Sequence, residues 1–333
     1  VLGRAASGAD LQWATGLLDS GVSREELASD LAYSVEHEQQ VVAAQYLHYL
    51  HAAPSAADLS SGATRLATGQ QTAESLAVEL TSTNAYYELQ TGVPITIVPA
   101  PLAAIPTWAA GNAQIENNAA HSTPGIVFLG DSITAGWQAD GAGVWQQEYG
   151  SFGALNAGIG GDQTQSLLWR IENGDLNGVS PQLAVVMIGI NNIFAGDDAP
   201  SVAEGIAAVV DELHVKLPNT TILLLGILPA QPSMISFDAM PIITQVNQTI
   251  SNLANGQSIL YAGLSPSFTN RDGTMDTALY QPDLVHLNAF GYQAWALAME
   301  SDVTAVMYPS QTIALEPGVP MVSRVFVPVP WWP

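Results

Sequence analysis

Short apolar runs separated by amphipathic stretches constrain this chain more than any other feature. Residues 126–129 (Ile-Val-Phe-Leu), 183–188 (Leu-Ala-Val-Val-Met-Ile), 221–225 (Thr-Ile-Leu-Leu-Leu) and 259–261 (Ile-Leu-Tyr) are strand-sized. They show almost none of the polar alternation of a half-exposed strand. A strand that is apolar on both faces has to be covered on both, which parallel sheets achieve through crossover helices. The stretches between them suit that role. Residues 164–172 place Leu167, Leu168 and Ile171 on one face, and 201–217 opens with Ser201 as the expected N-cap and Glu204 three residues on, a capping box. Helices are also expected over 242–253 and 288–307, a helix or helical turn over 143–150, and a further short strand over 154–157. The expectation is an α/β chain with a flavodoxin-like three-layer α/β/α sandwich over 124–308, its site at the C-terminal edge of a parallel sheet.

Several expected strands run into loops with chemical content. Gly130-Asp131-Ser132 ends the first run abruptly, and a Ser that opens a helix there sits beside free N–H groups that favour negative charge. Such a Ser can be a nucleophile, or Asp131 or Ser132 can simply cap the helix. Gly160-Gly161-Asp162 lets a backbone N–H approach a ligand closely, because no Cβ intervenes. Asn191, in Gly189-Ile190-Asn191-Asn192, offers a neutral side-chain donor for an oxyanion. Asp283-Leu284-Val285-His286 offers a base and an orienting carboxylate three residues apart. A Ser hydroxyl is too weakly acidic to attack unaided at neutral pH, so it needs a base such as His286, with Asp283 fixing the imidazole tautomer. Each loop alone has a dull reading as a turn or a cap. Together, in chain order, they point to ester hydrolysis. Asp131, Trp137 and Asn192 are candidate substrate contacts; Trp137, Trp145 and Trp169 are placed either to stack on sugar rings or to fill the core.

Residues 1–90 read differently, as helices separated by small-residue turns with an internal repeat. Ser7-Gly8-Ala9-Asp10-Leu11 returns as Ser55-Ala56-Ala57-Asp58-Leu59, 48 residues on, and Leu27 and Leu31 return as Leu76 and Leu80 at a spacing of 49. The unit resembles a tandem helical repeat domain of unknown function found in large secreted bacterial proteins, on Leu2-Gly3-Arg4 and Ser34-Val35-Glu36-His37. That resemblance implies an accessory role. His48 and His51 have a spacing that admits a shared metal, but no third ligand accompanies them. Residues 91–123 are Pro-rich and read as a linker, with 93–98 as an edge strand and Trp108 as an anchor. Residues 309–333 form a Pro- and aromatic-rich tail.

Charge narrows the partners. Thirty acidic residues against seven Lys plus Arg give a formal net charge of −23, which repels phosphate backbones and disfavours nucleic acid. No uncharged apolar run is long enough to span a bilayer. With no Cys, thiolate chemistry and disulfides are excluded. The first residues lack a basic-then-apolar leader, so the sequence is expected to be processed or excised from a longer one, of an extracellular or cell-surface bacterial kind.

Block by block, residues 124–308 resemble the SGNH (GDSL-like) hydrolase superfamily, nearest the branch of platelet-activating-factor acetylhydrolase catalytic subunits and their bacterial relatives. The shared phrases are Gly130-Asp131-Ser132, the run from Asn156 to Thr164, the run from Leu168 to Gly174, Ile188-Gly189-Ile190-Asn191-Asn192, and Asp283-Leu284-Val285-His286-Leu287. The resemblance implies a catalytic triad of Ser132, Asp283 and His286. It also implies an oxyanion hole from the Ser132 and Gly161 amides and the Asn191 side chain. Gly-x-Ser-x-Gly is absent, which argues against an ordinary α/β-hydrolase. The expected activity is removal of short acyl groups, acetyl above all, from carbohydrate, with lipid or general esters as the close second and a non-catalytic binding module as the alternative of another kind. No metal or organic cofactor is required.

Overall fold

The apolar runs become a five-stranded sheet in the computed structural model, which describes residues 4–309 apart from 234 and 236. The strands are β1 (Ile126–Gly130), β2 (Leu155–Gly158), β3 (Leu183–Met187), β4 (Thr221–Leu225) and β5 (Ile259–Ala262). They lie in the order β2-β1-β3-β4-β5, and every pairing is parallel. β1 and β3 are buried at every position, as strands covered on both faces must be. The order reverses beside β1, and in open parallel sheets that switch point is where loops part to admit a ligand.

Fourteen α-helices are described. The first six are α1 (Gly8–Asp19), α2 (Arg24–Ala32), α3 (Val35–Leu50), α4 (Ala56–Ala67), α5 (Ala73–Thr81) and α6 (Asn84–Thr91). Next come α7 (Pro106–Ala120), α8 (Ser132–Ala135), α9 (Ala142–Glu148) and α10 (Thr164–Asn173). The last four are α11 (Ile190–Ala195), α12 (Ala199–Lys216), α13 (Met240–Ile250) and α14 (Ala289–Met307). α10, α12 and α13 pack in one row, while α9 packs with α14, which also meets β3 and β5. Helices thus flank the parallel sheet. Among the described residues no helix is long and apolar enough to cross a membrane.

The six N-terminal helices begin alike. Ser7, Ser23, Ser34, Ser55, Thr72 and Thr83 each accept from the amide three residues on, which satisfies a donor that the helix itself cannot. These helices share a small core of Val42, Ala63, Leu66, Leu76 and Leu80, separate from the core around the sheet.

Three expectations are corrected. Residues 93–98 are not an edge strand: Ile95–Ile97 is a 3₁₀ turn. Its Thr96 hydroxyl donates to the Ser201 carbonyl at 2.6 Å, and its Thr96 carbonyl accepts from the Thr164 hydroxyl at 2.9 Å. The turn is thereby held against α10 and α12. Second, the Pro-rich 91–123 stretch is not irregular throughout, since α7 fills its second half with Pro106 at the first helical position, where no N–H is missed. Third, α12 starts earlier than Ser201. Asp198 is the N-cap, its carboxylate accepting from the Ser201 amide at 2.9 Å. An Asp ahead of Ala-Pro outcompetes the Ser inside the helix. Of the tail, residues from 310 on lie outside the described residues.

Candidate active site

The register of the sheet sets the site. Gly130 of β1 is level with Gly158 of β2 and Met187 of β3, so the loops leaving these three strands emerge side by side. Gly130 has to be Gly: a Cβ there would sit 2.3 Å from both the Met187 carbonyl oxygen and the Thr134 hydroxyl oxygen. With that contact allowed, the chain turns straight from β1 into α8. Asp131 caps α8 by accepting from the Ile133 amide at 2.9 Å, and Ser132 is its first residue. Asn156 of β2 donates to the Thr134 carbonyl at 2.9 Å, and Tyr292 of α14 donates to the Ile133 carbonyl at 2.7 Å. A four-residue helix is too short to hold itself, and these ties from two neighbours fix it.

The loop ahead of α14 brings Asp283 and His286 to Ser132. Asp283 Oδ1 accepts from the Val285 and His286 amides, both at 3.0 Å, and its Oδ2 faces His286 Nδ1 at 2.6 Å. Leu284 between them is left-handed, with φ 56°, a conformation uncommon for a non-Gly residue. The Gln231 amide, donating to the Leu284 carbonyl at 3.0 Å, helps hold it. Gln281 adds a brace, its side chain donating to Asp140 at 2.8 Å while its amide donates to the His286 carbonyl at 2.7 Å. The outcome is a 2.9 Å contact between His286 Nε2 and Ser132 Oγ. With Nδ1 donating to Asp283, Nε2 is the acceptor for the Ser132 hydroxyl. Burial tends to raise the Asp283 carboxyl, but hydrogen bonds from the His286 ring and from the two amides outweigh it and hold the group below the ordinary carboxylate range. His286 and Asp283 stay open to solvent, with side chains 37% and 46% exposed.

The residues expected as oxyanion donors follow β1, β2 and β3, whose ends are level. A Cβ built on Gly160 would lie 3.9 Å from the Ser132 Cβ, so this glycine loop borders the Ser132 side chain. Gly161 follows with φ 82°, a value that Gly adopts without strain. Asn191 lies in the first turn of α11, after β3, and its Nδ2 donates one hydrogen to the Asp162 carbonyl at 2.8 Å.

Three candidate substrate contacts are corrected. Trp137 is wholly buried, with ring centroids 4.7 Å from Tyr292 and 5.0 Å from Trp295. The 3₁₀ turn Gly136–Gln138 folds it back into the core, and no sugar ring can stack on it. Asn192 is also wholly buried. It accepts from the Thr164 amide at 2.9 Å and donates to Gln165 and Asp197 at 3.0 and 2.9 Å, joining the turn after β3 to α10. Asp131 is buried as the cap of α8, and burial pushes its carboxyl up to about 7, with the Asp162 charge adding and the Ile133 amide opposing.

The sequence reading passed over a network behind the glycine loop. Arg170 of α10 is fully buried between Asp162, whose Oδ2 it meets at 2.6 Å, and Asp175, and it also donates to the Ala157 carbonyl at 3.0 Å. Asp162 accepts in addition from Ser166 at 2.9 Å and from Trp108 Nε1 at 2.5 Å. A buried carboxylate with this many donors is immobile, and so is the peptide it shares with Gly161. The available signal was Arg170 itself, one of only seven Lys and Arg in the chain, on the apolar face of its helix next to Ile171.

The comparisons with known proteins fall on this part of the molecule. Residues 128–294 match the family described as GDSL-like Lipase/Acylhydrolase. The human platelet-activating factor acetylhydrolase IB subunit alpha1 is 34% identical over 182 residues, which span 54% of this chain and 74% of that protein. The chain belongs to the GDSL-like lipase/acylhydrolase family. The rat alpha2 subunit of the same acetylhydrolase is 32% identical over 171 residues, 51% of this chain and 71% of its own. Similar solved structures include a GDSL-like lipase from Bacteroides thetaiotaomicron, with TM-score 0.48 and 21% identity over 59% of this chain and 97% of that one. A catalytic mutant of an acetylxylan esterase from Geobacillus stearothermophilus gives TM-score 0.43 and 19% identity over 55% and 95%. As a GDSL-like lipase/acylhydrolase, this protein is a carboxylic ester hydrolase.

Proposed function

We propose that this hydrolase removes acetyl and similarly short acyl groups through Ser132, His286 and Asp283. The observation that carries the reading is the continuous contact from Asp283 Oδ2 to His286 Nδ1 at 2.6 Å and from His286 Nε2 to Ser132 Oγ at 2.9 Å. His286 takes the Ser132 proton as Oγ attacks the ester carbonyl. The carbonyl oxygen gains charge beside the Ser132 and Gly161 amides and the Asn191 side chain, donors that strengthen as the charge develops. Collapse expels the alcohol, which receives the proton from His286 and leaves an acyl-Ser132 ester. Water, deprotonated by the same His286, then releases the acid.

The acetyl preference is supported by the activity in the names of the 34% and 32% identical relatives. For the alcohol we favour a carbohydrate hydroxyl. An open His286 and Asp283 leave room for a bulky polar leaving group, and a net charge of −23 disfavours approach to an anionic lipid surface. A short-acyl phospholipid is the second reading, from the relatives' names.

The test is hydrolysis of p-nitrophenyl esters from acetate upward, with Ser132→Ala as the control, followed by acetylated polysaccharide against a short-acyl phospholipid. Turnover should be fastest on acetate and fall by about 10⁴-fold or more in the variant. Folded wild type and variant with equal, negligible turnover would remove the hydrolytic assignment of Ser132. Preference for the phospholipid would replace the carbohydrate.

A further inference from the structure

Helices α1 and α2 are built like α4 and α5 but lack what covers those two. α1 and α4 each have 12 residues, and α2 and α5 each have nine. Both pairs are joined through a left-handed Gly, with φ 97° at Gly21 and 69° at Gly69. In the second pair, α3 lies across both helices, and Gly62, Leu66, Leu76 and Leu80 are buried beneath it. In the first pair the same register holds Ala14, Leu18, Leu27 and Leu31. None of these is buried: Leu18 is 38% exposed, Ala14, Leu27 and Leu31 are only partly covered, and α1 and α2 bury no residue at all. A solvent-facing helix pair has no physical need for apolar residues at all of these positions, since scattered exposure of Leu is ordinary but a seam matching a buried one is not.

We propose that the open face of α1 and α2 is a docking surface for one amphipathic helix of the α3 type, donated by a further repeat of this kind. A second copy of the chain is a poor donor, because its own α3 is already committed to its α4 and α5. The fit can be specified at one point. Val42 of α3 approaches Gly62 so closely that a Cβ on Gly62 would lie 3.0 Å from Val42 Cγ2. Ala14 stands at the Gly62 register, so the docked helix carries a residue smaller than Val where α3 has Val42.

The test supplies that helix ahead of residues 7–333, with residues 1–6, and with them the Arg4 pairs to Asp10 and Glu36, lost equally in both grafts. Residues 34–54, carrying Val42→Ala, are joined directly to Ser7, giving the added helix the linker to α1 that α3 has to α4. A matching graft carries Val42→Glu, which keeps length and linker but places a charge in the seam. Peptide-resolved hydrogen exchange is read over residues 8–32, with light scattering for mass. The Ala graft should slow exchange there by tenfold or more relative to the Glu graft, with both monomeric. Equal exchange in the two grafts overturns the proposal. So does an ungrafted chain that already protects 8–32 in a concentration-dependent dimer, since the occupant would then be a second copy.

Discussion

Trp108 Nε1 donates to Asp162 Oδ1 at 2.5 Å, across 54 residues of chain, and so ties α7 to the loop that carries Gly161. The matched family segment starts at residue 128, and Trp108 lies ahead of it. A residue outside the family match therefore positions a loop inside the site.

Trp108→Phe keeps most of the ring volume and removes the donor, leaving a buried carboxylate one bond short. A loss of about 1–3 kcal/mol in stability is expected, together with a several-fold fall in kcat at nearly constant KM. Urea midpoints and steady-state rates on p-nitrophenyl acetate check both. Unchanged kcat would sever α7 from the chemistry.

Arg170→Met tests the other side of the same carboxylate. It leaves Asp162 and Asp175 buried without their cation, and breaking a buried pair in this way costs about 3–5 kcal/mol. The thermal midpoint should drop by several degrees or more. A midpoint within a degree of wild type would mean that these carboxylates are neutral and need no cation.

Asn191→Ala separates positioning from charge stabilisation. The Asn191 side chain spends one hydrogen on the Asp162 carbonyl, so its loss should lower stability by only about 1 kcal/mol. If the second hydrogen meets the developing oxyanion, kcat should fall by about 10²–10³-fold. A fall of less than tenfold would remove Asn191 from the oxyanion hole.

Asp131 makes a pH prediction with a definite sign. Its carboxyl is raised from 3.8 to about 7 by burial, so the folded state holds that proton more tightly than the unfolded chain does. The stability it contributes is fully present below about pH 4 and is lost as pH rises towards 7. Asp131→Asn should therefore match wild type near pH 4 and gain on it up to neutrality, by a few kcal/mol at most. Urea midpoints of the two proteins at pH 4, 5.5 and 7.5 test this. A difference that does not grow with pH would show that Asp131 is not held neutral.

The sheet and the contact among Ser132, His286 and Asp283 were legible because they rest on local signals: unbroken apolar strands, a Gly that ends one, and a short Asp-to-His spacing. What escaped depends on neighbours distant in sequence. α7 buries Trp108, Asn112, Ile115 and Ala119, a helical period that appears only if Asn112 is counted as inside. Residues 93–98 look like a strand by composition, yet the partners of Thr96 belong to α10 and α12, so a 3₁₀ turn wins. Trp137 follows the nucleophile candidate by five residues and looked like part of the site. Its direction is set by the turn after α8, and the aromatic cluster of Phe128, Tyr292 and Trp295 claims it.

Ser132 and His286 are 154 residues apart in the chain and 2.9 Å apart in space. Closing so long a loop is among the slower demands that a topology makes on a folding chain. If Ser132 and His286 act together as proposed, hydrolytic competence requires the segment ahead of α14 to dock against α8. In refolding from denaturant, helical signal should return ahead of ester cleavage, and the lag between the two is a clock for that docking. A nascent chain that ends after β4 lacks both His286 and Tyr292, one of the two ties that hold α8. Under the proposed mechanism such a chain has no base for Ser132, so hydrolysis has to wait for the C-terminal segment.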